Sequence, residues 1–296
     1  MKLKLVLAAV FVFSLLINVA PKAQAELVGS YTFEDVTGTK ITDVSGHNNH
    51  GVLINPRTDT WSTGHSGGGL YLPGIAGTEA TYVNLGNPAD FQLSNKFTFA
   101  AWVYSDAPNN DAPILAKEDL TYGTSYWWGV FYNDFGTLCD TDGWWDWDLD
   151  RRSVPVPAWN QWNHLASTWD GITLRQYING ILVDSVPYSG PIANTASDLT
   201  IGINSGVWTT AFTGRLDDIR IYNHDLSAAE IFVLAEAPKV SGCVNLQGAP
   251  LANAKVQLRQ DAGRQTTVTD GSGCYQFKSV ASGQEFKIEI SGPMVP

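Results

Sequence analysis

Apolar and polar residues alternate along this chain in short stretches, separated by clusters of Gly, Asn, Asp and Ser. That is the period-2 signature of half-buried strands joined by tight turns. Phe97 to Tyr104 is the clearest case, with Phe97, Phe99, Ala101 and Val103 on one face. The same pattern predicts strands at Leu27 to Phe33, Gly69 to Leu72, Tyr82 to Leu85, Ala112 to Lys117 and Tyr126 to Tyr132. Two hairpins follow. Asn163 to Trp169 turns at Asp170-Gly171 into Thr173 to Ile178, which turns at Asn179-Gly180 into Ile181 to Val186. Both residues of Asn-Gly tolerate positive φ, as such turns require. Leu199 to Ile203 and Arg215 to Tyr222 complete the set, and nearly all the helix signal is Ala228 to Leu234. Ser227 and Glu230 form its capping box. The chain therefore reads as all-β, a two-sheet antiparallel sandwich. In Asp217 to Ile221, the parity of Ile219 and Ile221 puts Asp217 on the core side. A carboxylate there needs a cation or a metal as partner.

The texture changes after a linker, Glu236-Ala-Pro-Lys239. Val240 to Asn245, Ala254 to Arg259, Gln265 to Thr269, Cys274 to Phe277 and Phe286 to Ile290 read as strands of a second, smaller β-sandwich. The expected domains are 26–236 and 239–296. The latter, with 58 residues, is small for an independent core. Residues 1–25 carry Lys2 and Lys4, an apolar run from Leu5 to Ile17, and Ala23-Gln24-Ala25. This is the pattern of a signal peptide, with an apolar run too short to span a bilayer. The mature chain is expected to begin at Glu26, outside the cytoplasm or secreted, with no transmembrane segment.

Removing three lysines leaves 15 basic against 29 acidic side chains, a net charge of −14. Such a surface repels nucleic acid and suits cations or neutral ligands. Cysteine is limited to Cys139, Cys243 and Cys274, with no Cys-x-x-Cys. In an exported chain Cys243 and Cys274 are expected to form a disulfide, with Cα atoms about 4.4–6.8 Å apart.

Several ordered motifs resemble the laminin-G-like jelly rolls of the concanavalin-A-like lectin and glucanase superfamily. They are Tyr31-Thr-Phe-Glu34, Asp43-Val-Ser-Gly46 with Asn48 to Gly51, Phe97-Thr-Phe-Ala-Ala-Trp102-Val, Trp162-Asn-His-Leu-Ala166, Tyr177-Ile-Asn-Gly180 and Gly214 to Tyr222. The second domain resembles the carboxypeptidase-regulatory-like, prealbumin-type sandwich. Its matching residues are Val240-Ser-Gly-Cys243, Gly248 to Val256 and Thr269-Asp270-Gly-Ser-Gly-Cys274-Tyr-Gln-Phe277. Such modules serve as spacers in surface proteins, and this copy ends soon after Ile290. The first resemblance implies a structural calcium held by Glu34, Asp43, Asn48 and Asp217, oxygen ligands that suit this metal. The alternative makes Asp43 an Asx-turn residue and pairs Asp217 with Arg215 or Arg220. His47 and His50 are spaced like zinc ligands, but no third ligand is near them in sequence.

No Glu-x-Asp-x-x-Glu pair, nucleophile elbow, phosphate loop or His-Glu-x-x-His appears, so no enzymatic role is expected. The most particular stretch is Cys139 to Asp150, where aspartates interleave with Trp144, Trp145 and Trp147. It cannot bury fully without stranding charge. Exposed indoles beside carboxylates stack on sugar rings and accept hydroxyl hydrogen bonds, which makes Trp144, Trp145, Asp146 and Trp147 the candidate ligand surface. A half-exposed strand with the rings packed on the sandwich is the other reading. Trp102, Trp162 and Trp169 are assigned to the core. The function expected is non-catalytic glycan binding at or outside the cell surface. The alternatives are adhesion through protein contacts and a carbohydrate-active enzyme accessory chain.

Overall fold

A computed structural model describes residues 26–106, 112–119, 123–131, 134–139, 151–156, 158–189, 192–204, 210–236, 240–260, 263–277 and 287–293. The expected leader, 1–25, and most of the linker lie outside these. In chain order the first strands are β1 (Leu27–Tyr31), β2 (Lys40–Ile41), β3 (Gly51–Ile54), β4 (Trp61–Thr63), β5 (Gly68–Pro73) and β6 (Tyr82–Asn84). Next come β7 (Phe97–Ser105), β8 (Ala112–Asp119), β9 (Gly123–Phe131), β10 (Asp134–Cys139) and β11 (Arg151–Pro155). The set closes with β12 (Asn163–Trp169), β13 (Thr173–Ile178), β14 (Ile181–Pro187), β15 (Leu199–Ile201), β16 (Thr213–Tyr222) and the helix α1 (Ala228–Ala235).

Two antiparallel sheets result. The first runs β14-β13-β12-β7-β16-β5-β4, with β1 also paired to β16. The second runs β11-β10-β9-β8-β15-β6-β3-β2. The inward set predicted for β7 is observed, since Phe97, Phe99, Ala101 and Val103 all join the main core. They meet Tyr126, Trp128, Phe135 and Leu199 from the second sheet. Burying each large side chain contributes roughly 1.5–3 kcal/mol, so this cluster dominates the stability. One polar link crosses the core: the Trp128 indole N–H and the Thr137 hydroxyl both donate to the Ser167 hydroxyl. Trp169 is buried as assigned. Lys117 is buried too, its ammonium bonded to Asn87 Oδ1 at 2.7 Å and to the carbonyls of Thr195 and Ser197.

The helix forms as expected, with the Ser227–Glu230 capping box complete. Its Ile231, with Leu226, packs on Ala100, Ala166 and Tyr177. These come from the outer face of the first sheet, so α1 covers half of that face. β14 is an edge strand with Ile181 64%, Leu182 47% and Val183 45% exposed. The ladder beside it is bulged between Gln176 and Tyr177, and the Asp184 carboxylate accepts the Ser185 N–H.

Residues after 239 form small antiparallel sheets: β17 (Val240–Cys243) with β22 (Cys274–Phe277), β18 (Asn245–Leu246) with β19 (Ala249–Pro250), and β20 (Ala254–Gln260) between β21 (Gly263–Val268) and β23 (Lys287–Pro293). Their core is Val256, Leu258 and Phe277. Cys243 and Cys274 face each other across β17 and β22 and are disulfide-bonded, as expected. Their Cα atoms are 3.9 Å apart, below the expected range.

Candidate ligand-binding face

The outward residues of β7 are Thr98, Ala100, Trp102 and Tyr104. Helix α1 covers Ala100. Toward the Ser105 end the face is partly covered by the turn between β4 and β5 and carries an aromatic and charged row. Trp102 lies opposite His164 of β12 on one side and Asp217 of β16 on the other, while Tyr104 lies opposite Arg215. His65, from the turn between β4 and β5, stacks flat on Trp102 at 3.5 Å and meets Trp162 edge-on at 6.0 Å. Trp162 in turn meets Tyr104 edge-on at 5.8 Å. The Arg215 guanidinium sits 4.8 Å from the Tyr104 ring centre and 5.9 Å from that of Tyr71. Tyr71, Tyr104 and Trp162 are half-buried, so part of each is offered to solvent.

Asp217 reaches this face by a break in parity. Leu216, Ile219 and Ile221 are all in the core, and the ladder to β7 is irregular between Asp217 and Arg220. Asp218 takes a left-handed φ of 51° there. A bulge adds one residue and flips the faces beyond it. The core-side placement expected for Asp217 is therefore corrected: it is buried on the outer face, beneath the Gly64–Gly68 turn. Its Oδ2 accepts the Ser66 N–H at 3.0 Å. A Cβ on Gly64 would strike the Asp217 carboxylate, and one on Gly67 would strike the Glu34 carboxylate, so the glycines let the turn close over both. Glu34 Oε1 accepts the Gly68 N–H at 3.1 Å. Burial, reinforced by the neighbouring Asp218 and Glu34 charges, pushes the Asp217 carboxyl up to about 8. Burial also raises Glu34, with Asp218 adding to it against the Gly68 N–H. Arg220 pairs with Asp218 at 3.2 Å and Arg215 approaches Asp106 at 3.9 Å, so neither arginine pairs with Asp217.

His164 is fully buried with both ring nitrogens lacking a hydrogen-bond partner. Burial, with the Arg220 charge and His65 nearby, lowers its pKa to about 3. Burial lowers His65 as well. Both imidazoles are therefore neutral at pH 7.

The four expected calcium ligands are not one shell. Asp43 does not fit a metal ligand. Its carboxylate accepts the N–H groups of Ser30, Ser45 and Asn49 and the Ser45 hydroxyl, the Asx-turn alternative. Asn48 serves the same loop with a left-handed φ of 61°. Glu34 and Asp217 do come together at the Gly64–Gly68 turn. Among the described residues no three His, Cys, Asp or Glu side chains are grouped to hold a metal, so a cation at Glu34 and Asp217 needs further oxygens from the main chain. His47 and His50 are used elsewhere, His47 between Glu26 and Asp90 and His50 on the Asp43 N–H. Trp144, Trp145, Asp146 and Trp147 lie outside the described residues. Trp162, assigned to the core, is instead part of the half-exposed row. Its parity with His164, opposite to buried Leu165, is the signal that could have found both.

The family described as the concanavalin A-like lectin/glucanases superfamily matches residues 77–232. The chain belongs to this superfamily. No curated protein matches the sequence. Among solved structures, domain 4 of AbnA, a GH43 extracellular arabinanase from Geobacillus stearothermophilus, was determined with arabinotriose. It is similar at 20% identity and TM-score 0.50, over 71% of this chain and 98% of that one. The binding domain of botulinum neurotoxin DC with rat synaptotagmin II is similar at 13% identity and TM-score 0.51, over 79% of this chain and 57% of that one. Trypanosoma rangeli sialidase with sialic acid is similar at 17% identity and TM-score 0.52, over 71% of this chain but 32% of the sialidase. At these identities the likeness is one of fold.

Proposed function

We propose that the protein is an exported, non-catalytic glycan-binding module acting at or outside the cell surface. The observation that carries this reading is the half-exposed row Tyr71, Tyr104 and Trp162, flanked by Arg215 and Asp106 at the Ser105 end of the first sheet. Aromatic faces stack on sugar rings while adjacent charged groups bond hydroxyls. The arabinotriose bound by one structural neighbour, matched over nearly its whole length, agrees with it. Asp217 is 1% exposed under its turn rather than in an open cleft, which favours binding over catalysis. Residues 26–236 act as the binding domain. Residues 239–296 act as a carboxypeptidase-regulatory-like spacer, its cross-strand disulfide suited to an oxidising compartment. The Trp144–Trp147 run is a second part of the ligand surface. A calcium ion at Glu34 and Asp217 would offset the burial, and the added repulsion, that raise both carboxyls, and it would hold the turn that carries His65.

A glycan array, with and without calcium, tests this. Trp162→Ala and Tyr104→Ala are expected to weaken binding about tenfold each, the loss of one stacking contact. Trp145→Ala and Trp147→Ala report on the second part. An array on which the protein binds no glycan overturns the reading. Calcium should raise the melting temperature of the protein, and Asp217→Asn should abolish the rise. A second reading, adhesion through protein contacts, is favoured by the exposed Ile181, Leu182 and Val183 beside Phe232 and Val233.

A further inference from the structure

At the opposite end of β7, before Phe97, lies a cleft of about 500 Å³, within the ~300–1,000 Å³ usual for small-molecule sites. It is not part of the aromatic row, which stands at the Ser105 end of the same strand. Its lining holds two chemically distinct groups of polar side chains, here called its walls, with Ala89 and Leu93 as the apolar part. One wall carries Glu26 and Asp90. Both are braced by a single imidazole: His47 Nε2 is 3.2 Å from Glu26 Oε1 and His47 Nδ1 is 3.0 Å from Asp90 Oδ2. The Asn223 side-chain amide also donates to Glu26 Oε2 at 3.0 Å, and the Asn49 amide to Asp90 at 2.8 Å. The other wall carries Lys96 and His224. Lys96 Nζ bonds Asp225 Oδ1 at 2.7 Å, and His224 Nε2 is 3.8 Å from the same oxygen. Ser94 and Asn95 complete the rim.

The two walls differ in chemistry. The first offers carboxylate acceptors fixed in place, and the second offers an ammonium and amide donors. An anionic ligand meets the carboxylates of Glu26 and Asp90 while Lys96 is already paired with Asp225, so net negative charge costs affinity. A neutral polyhydroxylated ligand satisfies both, because each hydroxyl can donate to a carboxylate and accept from an ammonium or amide. With no Trp, Tyr or Phe in its lining, the cleft suits orientation by hydrogen bonds rather than stacking. We propose that this cleft is a second saccharide site, taking a neutral sugar unit between Glu26 and Asp90 on one side and Lys96 on the other. The proposal rests on the glycan-binding reading and adds to it a separate site, so the module would hold two sugars at opposite ends of one strand.

The test is ligand-observed NMR and calorimetry on the purified protein with neutral trisaccharides, namely arabinotriose, cellotriose and maltotriose. Two binding sites per chain are expected for at least one of them. Asn95→Trp, an exposed position on the rim, should fill the cleft and remove one site. Lys96→Met should weaken that same site about tenfold. Trp162→Ala should affect only the other. A single site lost in Trp162→Ala and intact in Asn95→Trp and Lys96→Met overturns the cleft and leaves the aromatic row standing. A single site with the reverse pattern supports the cleft and removes the aromatic row from the functional reading. Unchanged melting of Asn95→Trp separates a filled cleft from a misfolded chain, and a failure of all three sugars to bind overturns the proposal.

Discussion

His164 should make the jelly roll sensitive to acid, and the size of the effect follows from its surroundings. In the fold its pKa falls to about 3 from an ordinary 6.5, because the buried ring loses water and faces the Arg220 charge. The unfolded chain therefore binds a proton that the folded chain refuses throughout the interval between those values. Stability rises with pH wherever the unfolded state holds more protons. The folded state should thus be fully stable with respect to this group above about pH 7.5 and lose stability as pH falls through 6.5. At pH 4.5 the loss is about 3 kcal/mol by that linkage, and it levels off near pH 3. His164→Phe has no such proton to bind and keeps an aromatic ring against Trp102. Urea melts of both proteins at pH 7.5, 6.5, 5.5 and 4.5 give the comparison. Subtracting one from the other cancels the carboxylates they share. Tryptophan fluorescence isolates the right unit, because all eleven tryptophans precede residue 236. The variant should gain on the native chain by about 2–3 kcal/mol from pH 7.5 to 4.5. Parallel pH profiles would refute the reasoning and mean that His164 is solvated or paired in solution.

Two further outcomes are expected. Lys117→Met should cost about 3 kcal/mol, because Asn87, Thr195 and Ser197 lose the buried ammonium that their oxygens share, and an unchanged urea midpoint would contradict this. Replacing Cys243 and Cys274 together by alanine should destabilise the unit after residue 239 by roughly 3–4 kcal/mol, read as faster amide exchange in its strands, while the tryptophan melt of the jelly roll stays where it was.

The fold was largely legible because β-sandwich strands announce themselves locally. Asn163–Trp169, Thr173–Ile178 and Cys274–Phe277 have the predicted boundaries, since each is bounded by turn residues that permit no extension. Other predicted strands differ by one to three residues at their ends, and the short β2, β3 and β4 have no predicted counterpart. The hairpin of β10 and β11 was not predicted, because Gly136 and Pro155 dilute its alternation. The candidate site was less legible. His65, Trp102, His164 and Asp217 come from four separate strands or turns, and only sheet order brings them side by side. Period-2 counting would have put Trp102 and His164 on one face. It could not place Asp217, whose position depends on a bulge set by a left-handed Asp218. Asp43 is ambiguous in sequence for a different reason: a carboxylate that binds metal and one that closes a turn occupy the same kind of sequence.

The outer edge of the first sheet has a bearing on how concentrated this protein can become. Ile181, Leu182 and Val183 form a short apolar ribbon with high strand propensity, the kind of segment that recruits strands from neighbouring molecules into fibrillar stacks. Three devices interrupt it within the same hairpin. The bulge after Gln176 twists the edge, Asp184 adds a charge and occupies the Ser185 N–H, and Pro187 ends the strand without an N–H to offer. Each is a recognised means of blunting an open edge. The ribbon is therefore tolerable only while Asp184 and Pro187 stand guard, and exchanging either for an apolar residue would trade colloidal solubility for no gain in the fold.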